Sequence, residues 1–263
     1  MTTFPAFASS FGFVNLPAVG DVQDIIDGFR TEALAQTPAW TEPVAETFES
    51  PVDADGRFYR IAMVATTQFR LGLTVTDQNG ITIITREIDI DNPGPTSVNI
   101  FVGEYHAFIE SLTATPELFQ SGILDETPQS QVAIQNYVYA GAYRNSGGGV
   151  DGQGGIVNVI FMLDNGAPAV VNRYRSFWRT EDAQIGLTDV TGALQFFPCE
   201  MKANTGGVTK WIGRAYQCWL CDSSLSFSSQ KTVQIGDSGE TGVFQVIGLT
   251  SVGGVARQMV RVA

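Results

Sequence analysis

An all-β fold, mainly antiparallel, arranged as β-sandwich or jelly-roll-like modules with one short N-terminal helix, is what this sequence predicts. Three observations carry that expectation. From residue 56 onward apolar residues return with a period of two, as in the run from Phe69 to Thr76, FRLGLTVT, the mark of a strand with one buried face. Turn signals stand between the apolar runs, among them DQNG at 77–80 and DNG at 164–166, and Asn-Gly tolerates the backbone that a tight hairpin demands. The composition is 44% hydrophobic and only 16% charged, with 28 glycines among 263 residues, which suits an ordered chain with a sizeable core.

The only helical period lies in residues 20–35, GDVQDIIDGFRTEALA. Asp21 is placed to cap it. Val22, Ile25, Ile26, Phe29 and Leu34 fall roughly on one face, and Pro38 and Pro43 bracket the exit. Ahead of the helix is an arm carrying Phe4, Phe7, Phe11 and Phe13. So much aromatic surface is costly in water, and two readings are open: the arm packs on its own domain, or it inserts into a neighbouring subunit. Trp40, between prolines in PAWTEP, is the expected anchor for the arm.

The strands follow in order. RFYRIAMVA (57–65) is a strand, TTQ (66–68) its turn, FRLGLTVT the return, and ITIITREIDI (81–90) the third strand after the Asn79-Gly80 hairpin. A loop at 91–97 leads to VNIFVGEYHAFIESL (98–112), one strand or two. Further strands are expected at QNYVYAGAYR (135–144), at IVNVIFML (156–163), and around VVNRYRSFW (170–178) and ALQFFPCEM (193–201). NSGGGVDGQGG (145–155) reads as a flexible loop.

An internal echo suggests a duplication. Gly213-Arg214-Ala215-Tyr216 matches Gly56-Arg57-Phe58-Tyr59, and residues 86–103 lie without gaps on 231–248, with Ile90/Ile235, Gly94/Gly239, Thr96/Thr241, Val98/Val243 and Gly103/Gly248 identical. The second copy is shorter by twelve residues where the first has its Asn-Gly hairpin. The expected organisation is therefore an arm and helix (1–45), a first β module (46–112), a middle β-rich segment (113–207) and a second β module (208–263) that repeats the first.

Residues with chemistry are few. Cys218 and Cys221 are three apart on a strand, so their side chains diverge, and a shared metal or disulfide would break the strand. Cys218 is read as a small core hydrophobe and Cys221 as facing the other way, beside Trp219. Cys199 and His106 are too few to complete a zinc site. Gly147 to Gly152 satisfies GxGxxG but is followed by β-branched residues instead of a helix, so it reads as a loop. Asp53 in DADG lacks the remaining calcium-loop ligands, and Asp89 and Asp91 follow strand alternation. Glu104, His106 and Glu110 are the only candidates for a hydrolase, Glu104 and His106 sharing a strand face with Phe108. Trp40, Trp178, Trp211 and Trp219 would suit sugar stacking if exposed, and core packing otherwise. No catalytic residue, cofactor or metal is expected.

The net charge of −12 argues against direct nucleic-acid binding. No run of 18 apolar residues is present for a membrane span. The N-terminus lacks signal-peptide features, and three cysteines do not suit a disulfide framework, which points to synthesis in a reducing cytoplasm.

The phrases WTEPVAETFESPVDADGRFYRI, VNIFVGEYHAFIESL with ILDETPQSQ after it, and the tail WIGRAYQ, TGVFQVIG and VRVA resemble virion structural proteins of tailed bacteriophages, from about residue 38 to the end. The resemblance implies a non-enzymatic, repeated particle subunit with β-sandwich modules, at the head surface as decoration or at the neck or tail. It implies a virion location after synthesis in the host cytoplasm, with other virion proteins and copies of itself as partners. No functional residues come with it. The alternatives are a carbohydrate-binding or adhesin module that contacts a glycan or host surface, and a hydrolase.

Overall fold

A computed structural model describes residues 12–16, 19–52, 58–80, 82–89, 97–111, 117–126, 134–142, 158–163, 168–171, 197–205, 208–222, 224–226, 229–235, 240–246 and 256–261. The chain begins there with strand β1 (Gly12–Leu16) and helix α1 (Val22–Leu34). Asp21 caps the helix: its carboxylate accepts the Gln23 N–H at 2.9 Å, satisfying one of the first-turn donors that have no partner within a helix. Val22, Ile25, Ile26, Phe29 and Ala33 form the buried face. Leu34 is 43% exposed, against expectation, because one further residue turns the side chain by about 100° and leaves Ala33 under the stripe. The helix packs closely at Gly28, where a Cβ would come within 3.1 Å of Ile100 Cδ1 and 3.2 Å of Leu16 Cδ1.

Five strands follow into one antiparallel sheet, in the order β2 (Thr41–Val44), β3 (Thr47–Glu49), β4 (Tyr59–Thr67), β5 (Arg70–Asp77) and β6 (Thr82–Asp89). Pro43 therefore lies inside β2 instead of merely closing the helix exit. β4 continues through Thr66 and Thr67, so the turn to β5 is Gln68-Phe69, one step later than TTQ. The Asn79-Gly80 hairpin forms as expected. Of these two residues only Gly80 takes the left-handed conformation (φ +78°), and its N–H donates to Asp77 O at 3.0 Å. The register slips by one residue further along β6, between Val75–Ile84 and Thr76–Thr82, which makes Ile83 a bulge.

The remaining strands are β7 (Val98–Val102), β8 (Ala107–Ser111), β9 (Glu117–Glu126), β10 (Ile134–Ala142), β11 (Asn158–Leu163), β12 (Pro168–Val171), β13 (Phe197–Thr205), β14 (Val208–Asp222), β15 (Gln230–Ile235), β16 (Glu240–Val246) and β17 (Ala256–Arg261). They join β1 in a twelve-stranded sheet ordered β1-β7-β8-β9-β14-β17-β16-β15, with β10 to β12 branching from β9 and β13 beside β14. β9 is the junction: it pairs with β8, β10 and β14. The sequence reading placed no strand at residues 117–126. It did place those of β10, β11 and β13. The 98–112 run is two strands, not one. The glycine-rich loop 145–155 and the turn at 164–166 lie outside the described residues.

The all-β, antiparallel class stands, with a single short helix among the described residues. One core fills the space between α1, the five-stranded sheet and β7–β9, and includes Ile26, Phe29, Trp40, Phe48, Tyr59, Ile61, Leu73, Ile100 and Phe119. A second, smaller core gathers Cys221, Leu225, Phe244, Val246 and Met259 from β14 to β17. The two echoing phrases are seated differently: β15 and β16 pair with each other, whereas β6 and β7 belong to different sheets.

Candidate functional site

The carboxylate and imidazole singled out by sequence sit in the turn between β7 and β8. Gly103 N–H donates to His106 O at 2.9 Å, so Glu104 and His106 are turn residues. They do not share a strand face with Phe108, because the strand ends at Val102 and restarts at Ala107. His106 is 2% exposed. Glu104 and Tyr105 are half-buried. Glu110 pairs by register with Asn99 and Leu118.

This turn is gripped from the other side of the core. Trp40 Nε1 donates to Gly103 O at 2.8 Å, and Tyr59 Oη donates to Tyr105 O at 2.9 Å. Ser121 Oγ on β9 donates in turn to Tyr59 Oη at 3.2 Å. The Trp40 and Tyr59 rings meet edge to face at 5.6 Å, and Phe29 meets Trp40 in the same manner at 5.8 Å. Burial holds the Tyr59 phenol far above its ordinary titration range, the Ser121 hydrogen bond opposing only in part. Burial therefore favours the protonated phenol, the form that donates to the Tyr105 carbonyl. Ser121 is spent on that phenol, not on an imidazole or carboxylate that would activate it as a nucleophile. The arrangement latches two sheets together.

The other candidates divide similarly. Trp40 is 1% exposed, which removes it as a sugar platform. Trp219 is half-buried against Phe244, ring centroids 5.8 Å apart. The side chains of Trp178 and Trp211 lie outside the described residues. Cys221 is a buried cysteine in the smaller core, on the Trp219 side of β14, as alternation requires. Cys218 faces Val260 by register, and its side chain is outside the described set, as is that of Cys199. Among the described residues no three His, Cys, Asp or Glu side chains are grouped to hold a metal ion. Asp53, Asp91 and the Gly147–Gly152 run also fall outside. Asp89 ends β6 opposite Arg70. No helix among the described residues is long and apolar enough to cross a membrane.

Ion pairs brace the small sheet against the helix. Arg30 Nε donates to Glu42 Oε2 at 3.0 Å and Oε1 at 3.2 Å, and Glu42 Oε1 also accepts the Glu46 N–H at 2.7 Å. The Arg30 hydrogen bonds hold the Glu42 carboxyl below the usual range. Glu46, at φ +60° the only left-handed non-glycine among the described residues, is fixed by this clamp at the β2–β3 turn. Sequence reasoning missed the latch and the clamp, since partners such as Tyr59 and Ser121 are 62 positions apart with no motif to mark them.

No family model, no curated protein and no solved structure matches the chain.

Proposed function

We propose that this chain is a structural component of a tailed-phage virion, a repeated non-enzymatic subunit of the head surface or of the neck and tail. One observation supports the reading most: among the described residues both sheets end in strands that pair on one side only, β2 in the small sheet and β15 in the large one. An unpaired edge is a template for a neighbouring strand. β15 exposes Gln230, Lys231 and Thr232 at that edge. The buried polar groups described above support the same reading, because they hold sheets in register instead of meeting at a reactive centre. The mechanism is assembly, with other virion proteins and copies of the chain as partners.

The test is the mass of the purified chain by size-exclusion chromatography with light scattering across a concentration series, followed by co-sedimentation with phage structural proteins. A fixed oligomeric mass is expected, and its symmetry narrows the place on the particle. A strict monomer that co-sediments with no virion protein overturns the reading.

A further inference from the structure

One row of residues across the five-stranded sheet carries no charge. Register places Val44, Thr47, Ala62, Thr74 and Thr85 side by side, one from each of β2 to β6. Residues directly opposite share a face, and the neighbouring row of Phe48, Ile61 and Val75 is buried beneath. The row, exposed at Val44 and Thr85 and half-buried at Thr47, Ala62 and Thr74, is uncharged, carries no long side chain and spans roughly 19 Å at ordinary strand spacing. Val44 is 65% exposed and Val64, one step along on the same face, 52%. Beside Val64 is Gly72, over which the Val64 and Thr66 methyls lie.

Charge argues for the occupant. The chain carries 27 acidic against 15 basic residues, so two copies repel over most of their surfaces. The charged residues nearest to the uncharged row are Glu49 and Arg60 in the row on one side and Glu87, with Arg70 beyond it, on the other. The Glu49–Arg60 pair is at one end and the Arg70–Glu87 pair at the other. A twofold axis running across the strands lays one end over the other, opposes no like-charged rows, and stacks the two uncharged rows at sheet-packing distance.

We infer that this face is the contact between two copies of the chain, joined by an isologous twofold. The inference deepens the assembly reading and takes its partner, a second copy, from it. Sedimentation equilibrium of the full chain over a concentration series tests it, with three variants whose fold is checked by circular dichroism. Thr74→Lys and the more exposed Thr85→Lys each put a charge into the central row, and the dimer dissociation constant rises at least about tenfold. Leu34→Lys, on the helix, leaves it unchanged. A wild-type oligomer indifferent to both threonine variants overturns the face while leaving the assembly reading intact. A wild-type monomer across the range overturns the pairing, and co-sedimentation with particle proteins then decides the assembly reading separately.

Discussion

Tyr59 shows how one side chain joins distant parts of this chain. Its ring lies in the main core and its hydroxyl bridges the β7–β8 turn to β9. Tyr59→Phe keeps the ring but leaves the Tyr105 carbonyl and the Ser121 hydroxyl short of a buried partner, so unfolding free energy falls by about 1–3 kcal/mol. Urea denaturation checks this, and a loss below about 0.5 kcal/mol would mean that another group replaces the phenol. Glu32 makes a different case. Burial raises its carboxyl above the usual range, so its charged form is a cost of folding. A raised folded value favours stability below the unfolded carboxylate range and loses that advantage as pH rises through the folded value. Glu32→Gln is therefore more stable than the wild type at neutral pH, and the difference closes as pH falls toward about 4. Thermal melts at a series of pH values read it, and parallel curves would refute it.

At the scale of elements, the helix is seated by what its residues lack. Gly28 lets α1 approach β1 and β7 until Leu16 and Ile100 touch its backbone. Gly28→Val wedges the helix off the sheet and costs about 1–3 kcal/mol by overpacking, measured by chemical denaturation. A neutral result would show that Leu16 and Ile100 turn aside freely. From the opposite side the Arg30–Glu42 clamp ties the helix to β2. That contribution is present above the ordinary carboxylate range and fades as pH falls through the depressed Glu42 value. Both side chains are partly exposed, so its share is small.

For the whole molecule, the N-terminal region separates into two parts. Gly12–Leu16 pair along their full length with β7, Gly12 opposite Val102 and Leu16 opposite Val98, and this strand belongs to the chain's own sheet. Phe13 is thus part of β1, while Phe4, Phe7 and Phe11 lie outside the described residues. Removing residues 1–20 strips a strand from β7 and uncovers the flank of α1, so it lowers stability as well as assembly. Removing residues 1–11 leaves β1 in place. The shorter deletion keeps the wild-type melting temperature and reduces the assembled mass in light scattering. An unchanged mass would show that the phenylalanines serve no neighbour.

The strands with strong alternation, the hairpin at Gly80, the capped helix at Asp21 and the side of β14 on which Cys221 lies were legible in the sequence. Each follows from the geometry of a few consecutive residues. Leu34 was misjudged because a helical stripe has a margin of one residue, settled only by what packs on it. β9, ELFQSGILDE, carries no clean alternation of apolar and polar residues, so no period of two marks it as a strand. Glu104 and His106 looked like strand residues until the β7–β8 turn was seen to close through Gly103 and His106. Only the tertiary structure decided that Trp40 and Tyr59 latch the sheets and that five separate strands offer Val44, Thr47, Ala62, Thr74 and Thr85 as one row. The reason is physical: cross-strand register and buried hydrogen bonds join residues tens of positions apart, and neither leaves a local pattern in the chain.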